Sequence, residues 1–422
     1  MLSTTVNATH KFSFLEKMMV RALNKLPNGR LRLEFPDGGV MNFGSSDQVR
    51  AEIRVVNRAF FKKVALYGDI GFAESYLDGD WQTSSIADVV AWFILNIDHV
   101  APISGKGIRK YAWNLLRFVN SFKHLTRRNS VKGSKKNISA HYDLGNDFYK
   151  LFLDKSMTYS GALFITGEET LEEAQTKKYD RLCRKLELKS GERVLEIGTG
   201  WGGFAIYAAT TYGVHVTTVT ISQKQYELAR QRITDAGLGQ QIDIRLQDYR
   251  MIEGKFDKIV SIEMLEAVGH EYLPVYFRKC AQLLKPEGRM GLQVIISGDK
   301  RYAEFREHVD FIQKHIFPGS QTPSLDAIER AIRATSDFNL HDVVDIGSHY
   351  AKTLRMWYAA FNDKIDQVKS LGMSDYFIRK WNYYLQYCEA AFAVRHVTLM
   401  QLIYTRPITD KKLTINNQQS KS

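Results

Sequence analysis

The chain has 422 residues, 44% of them hydrophobic and 25% charged, with a formal net charge of +12. That length exceeds the usual single core and predicts two domains of globular composition; no apolar run approaches the ~18 residues of a membrane-spanning helix. The excess of Lys and Arg suits an acidic partner, either nucleic acid or an anionic lipid surface, or simply a basic enzyme, and no nucleic-acid-binding motif is present.

In chain order, residues 1–10 lack the basic-then-apolar design of a secretory signal. Helical periodicity runs over 14–26 and is broken by Pro27-Asn-Gly-Arg30. Residues 30–35 alternate as a strand, followed by the turn Pro36-Asp-Gly-Gly39. Apolar and aromatic residues over 86–97 predict a buried helix. A basic segment follows (Lys123, Arg127, Arg128, Lys132, Lys135, Lys136), interleaved with Ser130, Gly133 and Ser134. It reads as a solvated linker or as a contact for lipid headgroups. From about Asn137 the pattern becomes α/β, with strands expected at 193–198, 214–221, 242–246, 256–262 and 289–297. A helix over 223–236 starts with Ser222 and Gln225 at capping-box spacing. This alternation predicts a parallel sheet with helices on both faces and a ligand at the carboxyl ends of the strands. Cys183, Cys280 and Cys388 lie far apart, with neither metal nor disulfide spacing, which suits a reducing cytoplasm. The polar stretch 409–422 reads as a disordered tail.

The most informative stretch is Arg193-Val-Leu-Glu-Ile-Gly-Thr-Gly-Trp-Gly-Gly-Phe204: a buried strand, a turn of glycines (Gly198, Gly200, Gly202, Gly203) and an apolar helix. Glycines let backbone approach a ligand, and the helix N-terminus beyond offers unpaired N–H groups. Such a turn serves S-adenosylmethionine (SAM), a dinucleotide, or structure alone. Dinucleotide enzymes place an acid about 20 residues on to hold the ribose. Here residues 216–222 carry no carboxylate, and the acid stands earlier, at Glu196. That looks like a SAM site, where the acid serves the cationic methionine end of the ligand.

Eight motifs then carry a resemblance. His141-Tyr-Asp-Leu-Gly-Asn-Asp-Phe148, Met157-Thr-Tyr-Ser160, Leu195-Glu-Ile-Gly-Thr-Gly-Trp-Gly202 and Leu246-Gln-Asp-Tyr-Arg250 are similar to cyclopropane-fatty-acyl-phospholipid synthases. So are Ser261-Ile-Glu-Met-Leu-Glu-Ala-Val-Gly269, Phe317-Pro-Gly319, His349-Tyr350 with Thr353-Leu354, and Tyr387-Cys388. The resemblance implies an α/β, Rossmann-like SAM-dependent methyltransferase domain over 137–407 and a smaller, lipid-docking α+β domain over 1–122. The basic linker 123–136 would join them, and 408–422 would be the tail. It further implies methylene transfer from SAM to a cis double bond of a phospholipid acyl chain. The enzyme would be cytoplasmic and peripheral on the anionic inner face of the membrane, without nucleic acid; a homodimer is compatible with this.

By the same resemblance, SAM is held by Tyr159, Ser160, Glu196, Gly198, Gly200, Gly202, Thr220, Ser222, Gln225, Gln247 and Asp248, the last near adenine. The catalytic set is Glu266, Tyr350, Ile295, Gln293 and Cys388, arranged around a bicarbonate that takes the final proton. Tyr350 is expected to hydrogen-bond Glu266. Gly161 stands where the family carries a cysteine, and would leave space for an anion, water or another substrate. Gln293 stands where bacterial members carry histidine and plant-type members glutamine, and its amide would donate to the anion. Ala267 replaces a histidine, Glu263 reads as an ordinary solvated carboxylate, and Cys388 also reads as a small core residue. Three rival functions stay open: methyl or methylene branching of acyl chains, N-methylation of a small amine, and a non-catalytic lipid-binding module.

Overall fold

The computed structural model describes residues 12–45, 49–100, 144–307 and 309–407. The basic linker, the start of the His141 motif and the polar tail lie outside the described residues.

The amino-terminal region opens with a helix at Phe14–Leu23, begun by a reciprocal capping box between Ser13 and Glu16. It stops three residues before the periodicity does. A small sheet follows: β1 (Arg30–Glu34), β2 (Val40–Phe43), β3 (Arg50–Val55) and β4 (Trp81–Gln82), in the order β2-β1-β3-β4. The Pro36–Gly39 turn makes β1 and β2 an antiparallel hairpin, while β1 and β3 run parallel. Alternation puts Leu31, Leu33, Met41, Phe43, Ile53 and Val55 on the buried face, in one cluster with Phe60, Phe61 and Trp92 from the helices and Trp81 from β4. The expected buried helix spans Ile86–Leu95.

The larger sheet contains β5 (Arg193–Ile197), β6 (His215–Thr220), β7 (Ile242–Leu246), β8 (Phe256–Ile262), β9 (Leu284–Ser297), β10 (Asn339–Asp345) and β11 (Val397–Thr405). Their order is β10-β11-β9-β8-β5-β6-β7. The first five match the strands expected from the sequence, with β9 starting five residues early. The expectation of a wholly parallel sheet is corrected: β11 inserts antiparallel between β9 and β10. It follows the long helix Asp375–Ala393 and re-enters the sheet against the direction of its neighbours. Adjacent β5 and β8 mark the point where the chain turns from one half of the sheet to the other, which leaves a crevice above their carboxyl ends. Gly198 follows β5 and Glu263 follows β8, so both sit at that crevice.

The two regions share one core. A continuous apolar cluster runs from Leu31 and Trp92 to Phe148, Phe152, Trp357 and Trp381. Helix Asp375–Ala393 packs against helix Ile86–Leu95, and the Gln386 side-chain oxygen accepts from Ile86 N (2.7 Å) and Ala87 N (3.1 Å). With Ser85 accepting from Asp88 N, this satisfies the first turn of the buried helix. Replacing Gln386 with Leu should leave two donors unpaired and lower stability by about 1–3 kcal/mol. Urea denaturation of both proteins checks this, and an unchanged midpoint would contradict it.

Candidate active site

A cavity of about 370 Å³ lies above the carboxyl ends of β5, β6 and β8 and extends beneath helices Gly347–Asp363 and Asp375–Ala393. At one end is the glycine turn. Gly198 (φ 102°) and Gly200 (φ 52°) have left-handed backbone, and a Cβ at Gly200 would project into open space. Glu196 lies beside them, 2% exposed, accepting from the Thr218 hydroxyl at 2.5 Å. Burial pushes its carboxyl up to about 8, against the opposing pull of Thr218 and of the Lys178 charge. Thr220 donates to Gln225 Oε1 (2.8 Å). That bond turns the Gln225 side chain away from the expected capping box, leaving only the half in which Ser222 accepts from Gln225 N. Gln247 hangs from Thr220 O through its own N–H.

Most of the expected cofactor residues line this cavity; Gly202 and Ser222 do not. Gly202 starts the helix Gly203–Tyr212, and Ser222 caps the helix Gln223–Asp235, so both act through the backbone that they shape. Asp248 lines the cavity, but Arg250 holds its carboxylate from both sides, with its side chain at 2.8 and 2.6 Å. Tyr159 meets the Tyr384 hydroxyl at 2.8 Å, and Ser160 accepts from Lys178 Nζ at 2.6 Å.

The far end of the cavity is apolar, with Phe317, Leu354, Ala391, Phe392 and Val397 on its walls. Glu263 and Glu266, three residues apart in the segment that follows β8, also line the cavity. Glu266 Oε1 accepts from Ile295 N at 2.6 Å, while Oε2 is buried without a partner. Burial, then the nearby charge of Glu263, pushes its carboxyl up to about 8.

Glu263 departs most from its expected role. Far from being a solvated carboxylate, its Oε1 accepts from Gly161 N (2.8 Å) and Gln293 Nε2 (2.8 Å), and the Tyr350 hydroxyl lies near enough to favour its charged form. Tyr350 therefore partners Glu263, whereas Glu266 takes a backbone N–H. Burial raises the Glu263 carboxyl, while these donors and the Lys178 charge pull it back. Its backbone is left-handed at φ 47°, a region uncommon for any residue but glycine.

Two more expectations change. Gly161 opens no space, because a Cβ there would lie 2.4 Å from Leu399 Cδ2 and 3.0 Å from Tyr350 Cγ. The missing side chain lets Tyr350 and Leu399 close over the loop and brings the Gly161 N–H onto Glu263. Gln293 does not line the cavity, and its amide has no donor left for an external anion. Nε2 gives one hydrogen to Gly161 O (3.0 Å) and one to Glu263, while Oε1 accepts from Gln401 Nε2 (2.9 Å). Arg181, which can only donate, contacts Gln401 Oε1 at 2.7 Å and so fixes which way both amides face. Gln293 and Gln401 are cross-strand partners on β9 and β11.

Cys388 lines the apolar part of the cavity, where burial and then the Asp310 charge push its thiol far up. The thiolate is therefore disfavoured, and Cys388 is a neutral wall residue rather than a nucleophile. Lys178, which the sequence reading did not name, is fully buried on helix Leu171–Lys185; burial pulls its ammonium down to about 7, against the opposing charges of Glu263, Asp154 and Glu196. A Lys in the apolar stripe of that helix was the available signal, as was a carboxylate directly after β8.

Residues 129–402 match the family model described as mycolic acid cyclopropane synthetase. Tuberculostearic acid methyltransferase UfaA1 of Mycobacterium tuberculosis is 36% identical over 91% of this chain and 89% of its own length. The cyclopropane-fatty-acyl-phospholipid synthase of Escherichia coli is 37% identical over 85% of this chain and 88% of its own. The crystal structure of mycolic acid cyclopropane synthase CmaA1 complexed with SAH and CTAB superposes with a TM-score of 0.60 at 31% identity, covering 64% of this chain and 98% of that one. A coclaurine N-methyltransferase, at 17% identity and TM-score 0.60, shares the fold. The chain belongs to the mycolic acid cyclopropane synthetase family, and is a SAM-dependent, lipid-modifying methyltransferase.

Proposed function

We propose that this enzyme adds the methyl carbon of SAM to the cis double bond of a phospholipid acyl chain and closes a cyclopropane ring. The observation that supports this best is one cavity lined by a glycine turn with a buried acid, a carboxylate pair and apolar side chains. The residues at the polar end suit SAM: Glu196 for the cationic methionine end, Thr220 and Gln225 for hydroxyls, and the open side of Gly200 for close approach. When bound, SAM supplies an electrophilic methyl carbon. An alkene is a weak nucleophile, so the chain must align it and exclude water. Phe317, Leu354, Phe392 and Val397 supply the dry wall for that purpose.

A second reading is a methylene branch, favoured by the likeness to a tuberculostearic acid methyltransferase over most of this chain. Both outcomes add one carbon and remove one proton from the acyl chain. Among the described residues no helix is long and apolar enough to cross a membrane. In this reading, the amino-terminal region and the basic segment bring the enzyme to an anionic membrane face, from which the acyl chain enters.

Three outcomes are expected. Incubation with SAM and vesicles of unsaturated phospholipid should add 14 mass units to acyl chains, and NMR of the product separates a ring from a methylene branch. An unchanged lipid profile would reject the proposal. SAM affinity should rise with pH towards about 8. The ligand's cation favours the Glu196 carboxylate and lowers its pKa, so binding releases a proton below that pH, with at most about tenfold gain per unit. Calorimetry in buffers of different ionisation enthalpy detects that proton, and Glu196→Gln should abolish its release. Finally, co-sedimentation with anionic vesicles should weaken as salt rises from about 0.05 to 0.5 M, because screening shortens the reach of surface charge; salt-independent binding would argue against an electrostatic dock.

A further inference from the structure

We propose that Glu263 is the general base of this enzyme, a carboxylate of the chain itself that makes an external base unnecessary. The inference rests on the acyl-chain reading above and deepens it. Transfer of a methyl group to an alkene leaves a cation on the chain, and a proton must then go somewhere inside a dry cavity. Glu263 lines that cavity beside the glycine turn. Three donors that would otherwise seat a small anion are already committed: Gly161 N and Gln293 Nε2 to Glu263, and Ile295 N to Glu266. At Gly161 itself the packing is closed, since a Cβ there would strike Leu399 and Tyr350.

Of the two carboxyls, Glu263 is the one to carry the charge. It has several donors and buried Lys178 as counter-charge, whereas Glu266 has one N–H and an unpartnered oxygen. Two carboxyls this close in a dry site do not both ionise, so the proton resides on Glu266. The left-handed backbone at Glu263 is a strained feature held by its surroundings, of the kind that gathers at functional sites.

The step balances. The π pair forms the new C–C bond as the C–S bond breaks and the donor leaves as a neutral thioether. The carbocation on the hydrocarbon chain then loses one proton of the added methyl group to Glu263, and the freed C–H pair closes the ring. Glu263 is left neutral and returns the proton to solvent once product departs.

The test compares the parent, Glu263→Gln and Glu263→Gly in carbon-dioxide-stripped buffer, with SAM and dioleoyl phosphatidylglycerol vesicles, with and without added bicarbonate or formate. The parent should be indifferent to bicarbonate. Glu263→Gln should bind SAM normally by calorimetry and lose about 10²–10⁴-fold in rate. Glu263→Gly suits the left-handed backbone and vacates the carboxylate seat, so formate or bicarbonate should restore part of its rate. A parent that makes the +14 product only with bicarbonate overturns this proposal alone, as does a Glu263→Gln enzyme of parental rate. A Glu263→Gly enzyme that binds SAM yet is not rescued at any anion concentration overturns it too, by placing the loss in structure. No +14 product from the parent under any condition overturns the acyl-chain reading and this proposal together.

Discussion

A carboxylate can stay charged beneath a hydrocarbon ligand only where donors replace its water, and much of this active site is organised around that requirement at Glu263. Its Oε1 takes one hydrogen from the Gly161 backbone and one from the Gln293 amide. The amide is itself oriented, because Gln401 must donate to it while accepting from Arg181, and Arg181 is in turn paired with Asp342. A chain of groups with no freedom to flip thus runs from β10 through a helix and two strands to the cavity. Each link is a charged or amide group whose donor and acceptor ends are settled by the next, which makes the seat rigid. The left-handed backbone of Glu263 costs about 1–3 kcal/mol, and this network is what holds it.

Charge balance explains the rest of the buried polar set. Glu196, Glu263 and Glu266 face a cavity with Lys178 as the nearby buried cation. Burial alone raises all three carboxyls, and the differences among them come from partners: a threonine hydroxyl for Glu196, several donors for Glu263, a single N–H for Glu266. In the mechanism proposed above, one class of side chain fills three roles: an acid that becomes a carboxylate when a cation arrives, a held anion, and a neutral carboxylic acid. Cys388 shows the same physics, since burial and then the nearby Asp310 charge keep its thiol protonated.

The amino-terminal region takes part in this architecture through the shared core. The helix that carries Tyr384, Tyr387 and Cys388 to the cavity is the one packed on Ile86–Leu95 and capping it through Gln386. Apolar burial on one side of that helix fixes the wall on its other side, so the shape of the greasy end depends on packing far from the glycine turn.

Local patterns in the chain determined a good deal. Strands β5 to β9 were legible because buried runs alternate with helical stretches, and the turn from Gly198 to Gly202 announced a ligand through glycines that need left-handed backbone. Glu196, Tyr159, Glu266 and Tyr350 could be named as candidates because motif spacing is a local property. Strand β11 was missed because its place in the sheet depends on non-local pairing with β9. The partners of Glu263, Gly161 and Gln293 were also beyond reach: residues 161, 263, 293, 350 and 401 meet only when β8, β9 and β11 lie side by side under a helix. A sequence lists which groups can donate or accept; only the folded chain decides which of them face each other without water between.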